Sequence, residues 1–335
     1  MTASDNTATD NLVQQSWQRL WQPLWQQMHH GNLANQRGLQ LHYSHYRQPG
    51  ISTAVVISSG RIEMAVKYSE VIFELVQAGY SVYILDHQGQ GSSQRELSNP
   101  HKGHISNFDH YSDDWQRFMQ HVVLPGQHQG YLALCHSMGS AIFGNYLLQT
   151  PDHPFSAAVL CSPMLGIYSG PVPFAAAMPL VRALRWLNLQ LATQSWYLPG
   201  QGNYRPEPFH RNRLTSCPAH YQWLLSLYQA EPALQLGGVT LDWLLAAHQV
   251  MQRLASSGHS IELPLLVLQA GADRVVDNKA QQRFVAQRPE LRELRTLVGA
   301  KHELLLENTP IRQQVMHWIL AFFARYTATD KVSGG

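Results

Sequence analysis

Short apolar runs at Ala54 to Ile57, Ser81 to Leu85 and Tyr131 to Cys135 are separated by helix-like stretches around Met64 to Gln77 and Ser112 to Val123. Further runs at Ala157 to Cys161, Leu265 to Leu268 and Leu294 to Val298 continue the series. None alternates polar with apolar positions, as a strand with one wet face would. They therefore predict strands buried on both faces, in a mostly parallel sheet with helices on either side. Gly38 to Arg47 predicts one more strand. The final helix is well marked: Thr309 can cap it, Pro310 suits its first turn, and Ile311, Val315, Trp318, Ile319, Phe322 and Phe323 form one stripe.

Between residues 165 and 260 the alternation stops, and Pro, Trp and helical patterns take over. This predicts a mainly helical cap inserted into a core built from residues 15–164 and 261–326. Residues 1–14 read as a disordered lead and 327–335 as a flexible tail. Trp17, Leu20, Trp21, Leu24, Trp25 and Met28 fall on one helical face, which Pro23 should break or kink. That face either packs on the body of the protein or docks at a lipid interface.

With 44% hydrophobic and 14% charged residues in a 335-residue chain, a sizeable core is expected and wholesale disorder is not. A net charge of +2 supplies no field that would argue for nucleic acid. Cys135, Cys161 and Cys217 read as reduced thiols, the first two ending apolar runs. The first eleven residues lack the basic and apolar regions of a secretory signal, and no apolar run is long enough to span a bilayer. A cytoplasmic protein with at most peripheral membrane contact is the expectation.

The chemistry begins where the run Leu132-Ala133-Leu134-Cys135-His136 stops at Ser137 and a helical pattern follows at once. A strand–serine–helix junction is the nucleophile elbow of serine hydrolases, and it needs small neighbours. Gly139 is one; Cys135 stands where the first glycine of G-x-S-x-G is usual. A serine needs a base, usually a histidine oriented by a carboxylate. Asp273, after the run ending Gln269-Ala270-Gly271-Ala272, is the preferred acid and Asp277 its rival. His302, in the loop ahead of the last helix, is the base. Oxyanion donors are expected from the N–H of Met138 and from the loop Ser59-Gly60-Arg61, where Gly60 allows close approach and Arg61 offers its N–H. The Arg61 guanidinium reads as a separate surface charge.

Asp86-His87-Gln88-Gly89-Gln90-Gly91 lacks the spacing of a phosphate loop and predicts a tight turn. His101 and His104 lack a partner at metal-ligand spacing, so neither a metal nor a cofactor is implied.

Over nearly its whole length the chain resembles the α/β-hydrolase superfamily. More narrowly, it resembles the bacterial lysophospholipase branch, related to monoacylglycerol lipases. The matching segments are Ser59 to Glu63, Asp86 to Ser92, His136 to Gly139, Gln269 to Asn278 and Gly299 to Glu303. Cys135 departs from the pattern, and so does Ser-Gly-Arg in place of the lipases' His-Gly. The resemblance implies hydrolysis of the acyl ester of a lysophospholipid, with a monoacylglycerol lipase or general carboxylesterase as runner-up. A non-catalytic lipid- or partner-binding fold is the rival from another class. For an acyl chain, Phe174 and Met178 in an apolar stretch of the insertion are candidates. Arg205, Arg211 and Arg213 either meet a phosphate head group or form a solvated basic face.

Overall fold

A computed structural model describes residues 12–50, 53–170 and 174–327. Eight strands form one sheet: β1 (His29–Ala34), β2 (Gln40–Tyr46), β3 (Thr53–Ser58), β4 (Ser81–Leu85), β5 (Gly130–His136), β6 (Phe155–Cys161), β7 (Leu265–Ala270) and β8 (Arg292–Leu297). Their order is β1-β2-β4-β3-β5-β6-β7-β8. Pairing is parallel from β4 through β8, while β1 and β2 add an antiparallel end.

The apolar runs do not alternate because both faces of the sheet are covered. In β3, Val55 and Ile57 face a core with Ile72, Val315 and Phe323, whereas Ala54 and Val56 face one with Trp115, Phe118 and Phe143. Helices α2 (Ser69–Gln77) and α9 (Thr309–Ala324) supply the first core; α3 (Asp109–Phe118) and α4 (Met138–Gln149) supply much of the second. Between β6 and β7 the chain forms α5 (Phe174–Leu191), α6 (Pro218–Ala230) and α7 (Leu241–Ser257), and among the described residues contributes no strand to the sheet. Helix α8 (Asn278–Ala286) links β7 to β8.

Several local expectations change. Strand β1 was not predicted: His29-His30-Gly31-Asn32 carries no apolar pattern, and only pairing with β2 makes it a strand. Residues 12–14 are helical rather than part of a disordered lead; residues 1–11 lie outside the described residues. As expected of a proline there, the regular N-terminal helix is interrupted just ahead of Pro23. A π-turn, Trp17–Trp21, precedes α1 (Gln22–Gln27), and Pro23 sits in its first turn, where a missing N–H costs little. The rings of Trp17 and Trp21 pack 5.7 and 5.9 Å from Trp223 of α6, so this face meets protein. Asn308, not Thr309, occupies the cap position of α9, without a side-chain cap bond. Val298 falls outside β8 and is 90% exposed. In the expected tail, Thr327 bonds to Phe323 and Tyr80; residues 328–335 lie outside the described residues.

Candidate active site

Ser137 follows β5 at φ 49° and ψ −116°, a conformation that is costly for a residue with a side chain. The surroundings enforce it: Ser137 N–H donates to Cys161 O at 3.0 Å, and its carbonyl accepts from Met164 N–H at 3.0 Å. Gly139 is obligatory, because a Cβ there would overlap the carbonyl oxygen of Ser58. Cys135 is fully buried in the sheet core, so its small side chain is accommodated.

His302 lies with its Nε2 2.9 Å from Ser137 Oγ and its Nδ1 2.8 Å from Asp273 Oδ2. All three side chains are buried. The other carboxylate oxygen of Asp273 accepts from Val275 N–H at 2.7 Å and Val276 N–H at 3.1 Å. Burial acts to raise the Asp273 pKa, but His302 and those two amides outweigh it and hold the carboxyl below its ordinary range. The rival Asp277 is engaged elsewhere. Its side chain caps α8 by accepting from Lys279 N–H at 2.9 Å, and it pairs with Arg283 at 3.4 Å.

The His302 loop is tied to the insertion. Glu303 N–H donates to Leu214 O at 2.7 Å, and Lys301 Nζ donates to Asn212 O and Thr215 O at 3.1 and 3.2 Å. Ser162 Oγ donates to His302 O at 2.8 Å.

Met138 opens α4, so its N–H belongs to a first turn that has no partner within the helix. In the loop after β3, the Gly60 N–H is taken by the Glu63 carboxylate and the Gly60 carbonyl by Gln90 Nε2 at 2.7 Å. Arg61 N–H has no hydrogen bond among the described residues. The following Ile62 sits at φ 62°, a strained value for a β-branched residue. Contrary to expectation, the Arg61 guanidinium is not a loose surface charge: Nη1 donates to Gly237 O in the insertion at 2.9 Å.

A cluster of buried charges, which sequence reasoning did not anticipate, lies beneath these groups. Lys67 Nζ bonds to Glu63 and, at 2.8 Å, to Glu303. His136 Nδ1 is 3.2 Å from Glu63, and Tyr68 Oη donates to Glu63 at 2.6 Å. Burial acts to raise the Glu63 pKa, but Lys67 and His136 outweigh it and hold it well below the usual range. Burial likewise opposes a charged His136, yet Glu63 and Glu303 prevail and push its pKa up to about 8. Glu63, His136 and Glu303 approach closely enough to form a metal-ligand set. Lys67 already pairs with both carboxylates, and His136 adds a second cation beside Glu63. The sequence signal was that Glu63, His136 and Glu303 each end or begin one of the matching segments.

A cavity of about 1120 Å³ opens onto Ser137 and His302. Its apolar wall comes largely from Ile62, Tyr221, Leu224, Leu225, Tyr228 and Leu236, and Arg205, Arg211 and Arg213 also line it. The three guanidinium groups are exposed and form no ion pair or hydrogen bond among the described residues. Phe174 and Met178 do not line this cavity. Met178 is buried in the core, and Phe174 stacks edge-on to His248 with centroids 5.6 Å apart. The overlooked signal was Tyr221, Leu224, Leu225 and Tyr228, an i, i+3, i+4, i+7 stripe on α6.

A mostly parallel sheet with a serine at a strained strand-to-helix turn defines the fold as that of the α/β-hydrolases. The Hydrolase_4 family model, described as serine aminopeptidase, S33, matches residues 50–309, and the chain belongs to that family. It is 35% identical to lysophospholipase L2 of Escherichia coli (strain K12) over 307 residues, covering 87% of this chain and 86% of the relative. It is 26% identical to the monoglyceride lipase of Rattus norvegicus, covering 86% and 88% of the two chains. A soluble variant of monoglyceride lipase from Saccharomyces cerevisiae superposes with a TM-score of 0.69 at 18% identity, covering 90% of this chain and 95% of that one.

Proposed function

We propose that this protein is a serine esterase that hydrolyses the single acyl ester of a lysophospholipid, with Ser137 as nucleophile, His302 as general base and Asp273 as its orienting carboxylate. Ser137 Oγ attacks the ester carbonyl while His302 Nε2 takes its proton, and Asp273 stabilises the resulting imidazolium. The N–H groups of Met138 and Arg61 receive the oxyanion. Collapse expels the glycerophosphodiester alcohol, which regains its proton from His302. Water, deprotonated by the same histidine, then attacks the acyl-serine and releases the fatty acid.

The observation that carries the substrate reading is the trio of unpaired arginines in the cavity at Ser137, which also has an apolar wall of Ile62, Tyr221, Leu224, Leu225, Tyr228 and Leu236. Guanidinium groups suit a phosphodiester, and the apolar wall suits an acyl chain. A peptide's free α-ammonium is poorly served there. Glu303 is already paired with Lys67, and Glu207 stands among the arginines. The similarity to lysophospholipase L2 supports the same reading.

Domain roles follow: residues 165–260 act as a cap over a catalytic core of 15–164 and 261–326. No helix among the described residues is long and apolar enough to cross a membrane. We read contact with a bilayer as peripheral and the protein as cytoplasmic, on the sequence expectation.

Parallel assays on lysophosphatidyl, monoglyceride and short p-nitrophenyl esters test the substrate. Lysophospholipid should be turned over fastest, and Arg205→Ala, Arg211→Ala and Arg213→Ala together should raise its KM selectively. Faster turnover of monoglyceride would replace the reading with a monoacylglycerol lipase. Fluorophosphonate labelling of the parent but not of Ser137→Ala tests catalysis itself; no labelling of folded protein would leave a binding module.

A further inference from the structure

Cys217 stands at the cap position of α6, beside a histidine that is itself held by a carboxylate. His220 Nδ1 lies 3.2 Å from Cys217 Sγ, and His220 Nε2 lies 2.9 Å from Glu70 Oε2 on α2. The same Glu70 oxygen is 3.1 Å from Arg312 Nε on α9, so the carboxylate is fixed from the core. Thiol, imidazole and carboxylate form a relay of the kind that activates a cysteine. The esterase chemistry at Ser137 makes no use of it.

The other two thiols are placed differently. Cys135 and Cys161 lie in the sheet, where burial pushes both pKa values up. Burial acts in the same direction on Cys217, but His220 and the N-terminal amides of α6 outweigh it and hold the thiol below its ordinary range. Cys217 is also the one of the three with exposed surface, 5% against 0%.

The backbone around Cys217 reaches the catalytic base. Cys217 N–H donates to Thr215 Oγ1 at 2.9 Å, and that hydroxyl donates to Leu306 O at 2.6 Å. Ser216 N–H donates to Glu307 Oε2 at 3.1 Å. With the bonds from Glu303 and Lys301 to Asn212, Leu214 and Thr215, residues 212–217 form a strap along the His302 loop.

We propose that Cys217 is an oxidation site for hydrogen peroxide, and that its sulfenic acid slackens this strap and lowers esterase turnover. The thiolate sulfur attacks one peroxide oxygen, the O–O bond breaks, and the sulfur is oxidised by two electrons to Cys–SOH. The departing hydroxide takes the proton carried by His220 and leaves as water. The added oxygen finds almost no free space, so the N-terminus of α6 shifts and the strap with it. The imidazole of His302 then loses its alignment on Ser137. The turnover readout rests on the esterase reading; the sulfur chemistry does not.

The test exposes the full chain to hydrogen peroxide at neutral pH and removes the excess with catalase. The chain is then unfolded in dimedone, and mass spectrometry locates the sulfenic acid adduct. Cys217 should carry it, and Cys135 and Cys161 should not. His220→Gln should form it about tenfold more slowly, because less of the thiol is ionised. Turnover of a short soluble ester should fall about tenfold as Cys217 is oxidised, and a thiol reductant should restore it. Cys217→Ser, which keeps a good cap, should match the parent before peroxide and resist it afterwards. Equal labelling of all three cysteines, or none at Cys217, would overturn the proposal. A labelled Cys217 with unchanged turnover would overturn its link to His302. A parent that labels at Cys217 but hydrolyses no ester would refute the catalytic reading and leave the oxidation site standing.

Discussion

Arg61 reaches from the core to the insertion, its Nη1 donating to the carbonyl of Gly237 at 2.9 Å and its guanidinium lying 5.8 Å from the ring centre of Trp243. Burial pushes its pKa down to about 10, so it stays cationic at neutral pH. The same residue offers the free N–H proposed for the oxyanion, so the insertion and that amide are joined through one side chain.

Arg61→Ala keeps the backbone donor but removes its tether. The expected result is a fall in kcat of about tenfold, less than the loss of a whole oxyanion donor, with a smaller change in KM. Steady-state kinetics on a short soluble ester measures it. A change confined to KM would mean that the tether serves only binding.

Ser137 Oγ and His302 Nε2 are joined at 2.9 Å, the geometry of a nucleophile and its base. Ser137→Ala and His302→Ala should each lower kcat by on the order of 10⁴ or more, and the double variant little further. Multiplicative losses would argue against the pairing.

The two candidate acids separate cleanly. Asp273→Asn should cost about 10⁴ in kcat by disturbing the imidazole it orients. Asp277→Ala should leave kcat near the parent value and cost about 1 kcal/mol of stability, from the lost α8 cap. Activity and thermal melts on the same preparations distinguish them.

Gly139→Ala should be destabilising by about 3 kcal/mol or more, because its Cβ meets backbone that cannot turn aside. Denaturant titration measures it, and a fully stable variant would show that the elbow has room to relax.

The buried histidine beside the nucleophile gives a signed pH dependence. The fold favours protonated His136, raised to about 8 by its carboxylate neighbours against the opposing effect of burial. Its contribution of about 2 kcal/mol is fully present below about pH 6.5 and is lost as the pH rises through about 8. His220, 2.9 Å from Glu70, behaves likewise with a pKa raised to about 9. Thermal melts from about pH 6 to 9.5 should show a decline that His136→Gln makes shallower.

The sequence by itself determined the sheet and the serine. Strands buried on both faces must be short and continuously apolar, and an elbow must pass abruptly from such a run to a helix, so both leave local marks at Leu132 to Gly139. The order Ser137, Asp273, His302 was legible because each residue follows a strand. Only the tertiary structure decided between Asp273 and Asp277, since both lie in one loop and just one carboxylate reaches His302. Strand β1, the Lys67 cluster and the anchoring of Arg61 on Gly237 were likewise settled there. So was the exchange of Phe174 and Met178 for Leu224 and Tyr228 on the cavity wall. Each depends on contacts between segments far apart in the chain. An apolar or charged residue reads the same in sequence whether it turns toward the cavity, the core or solvent.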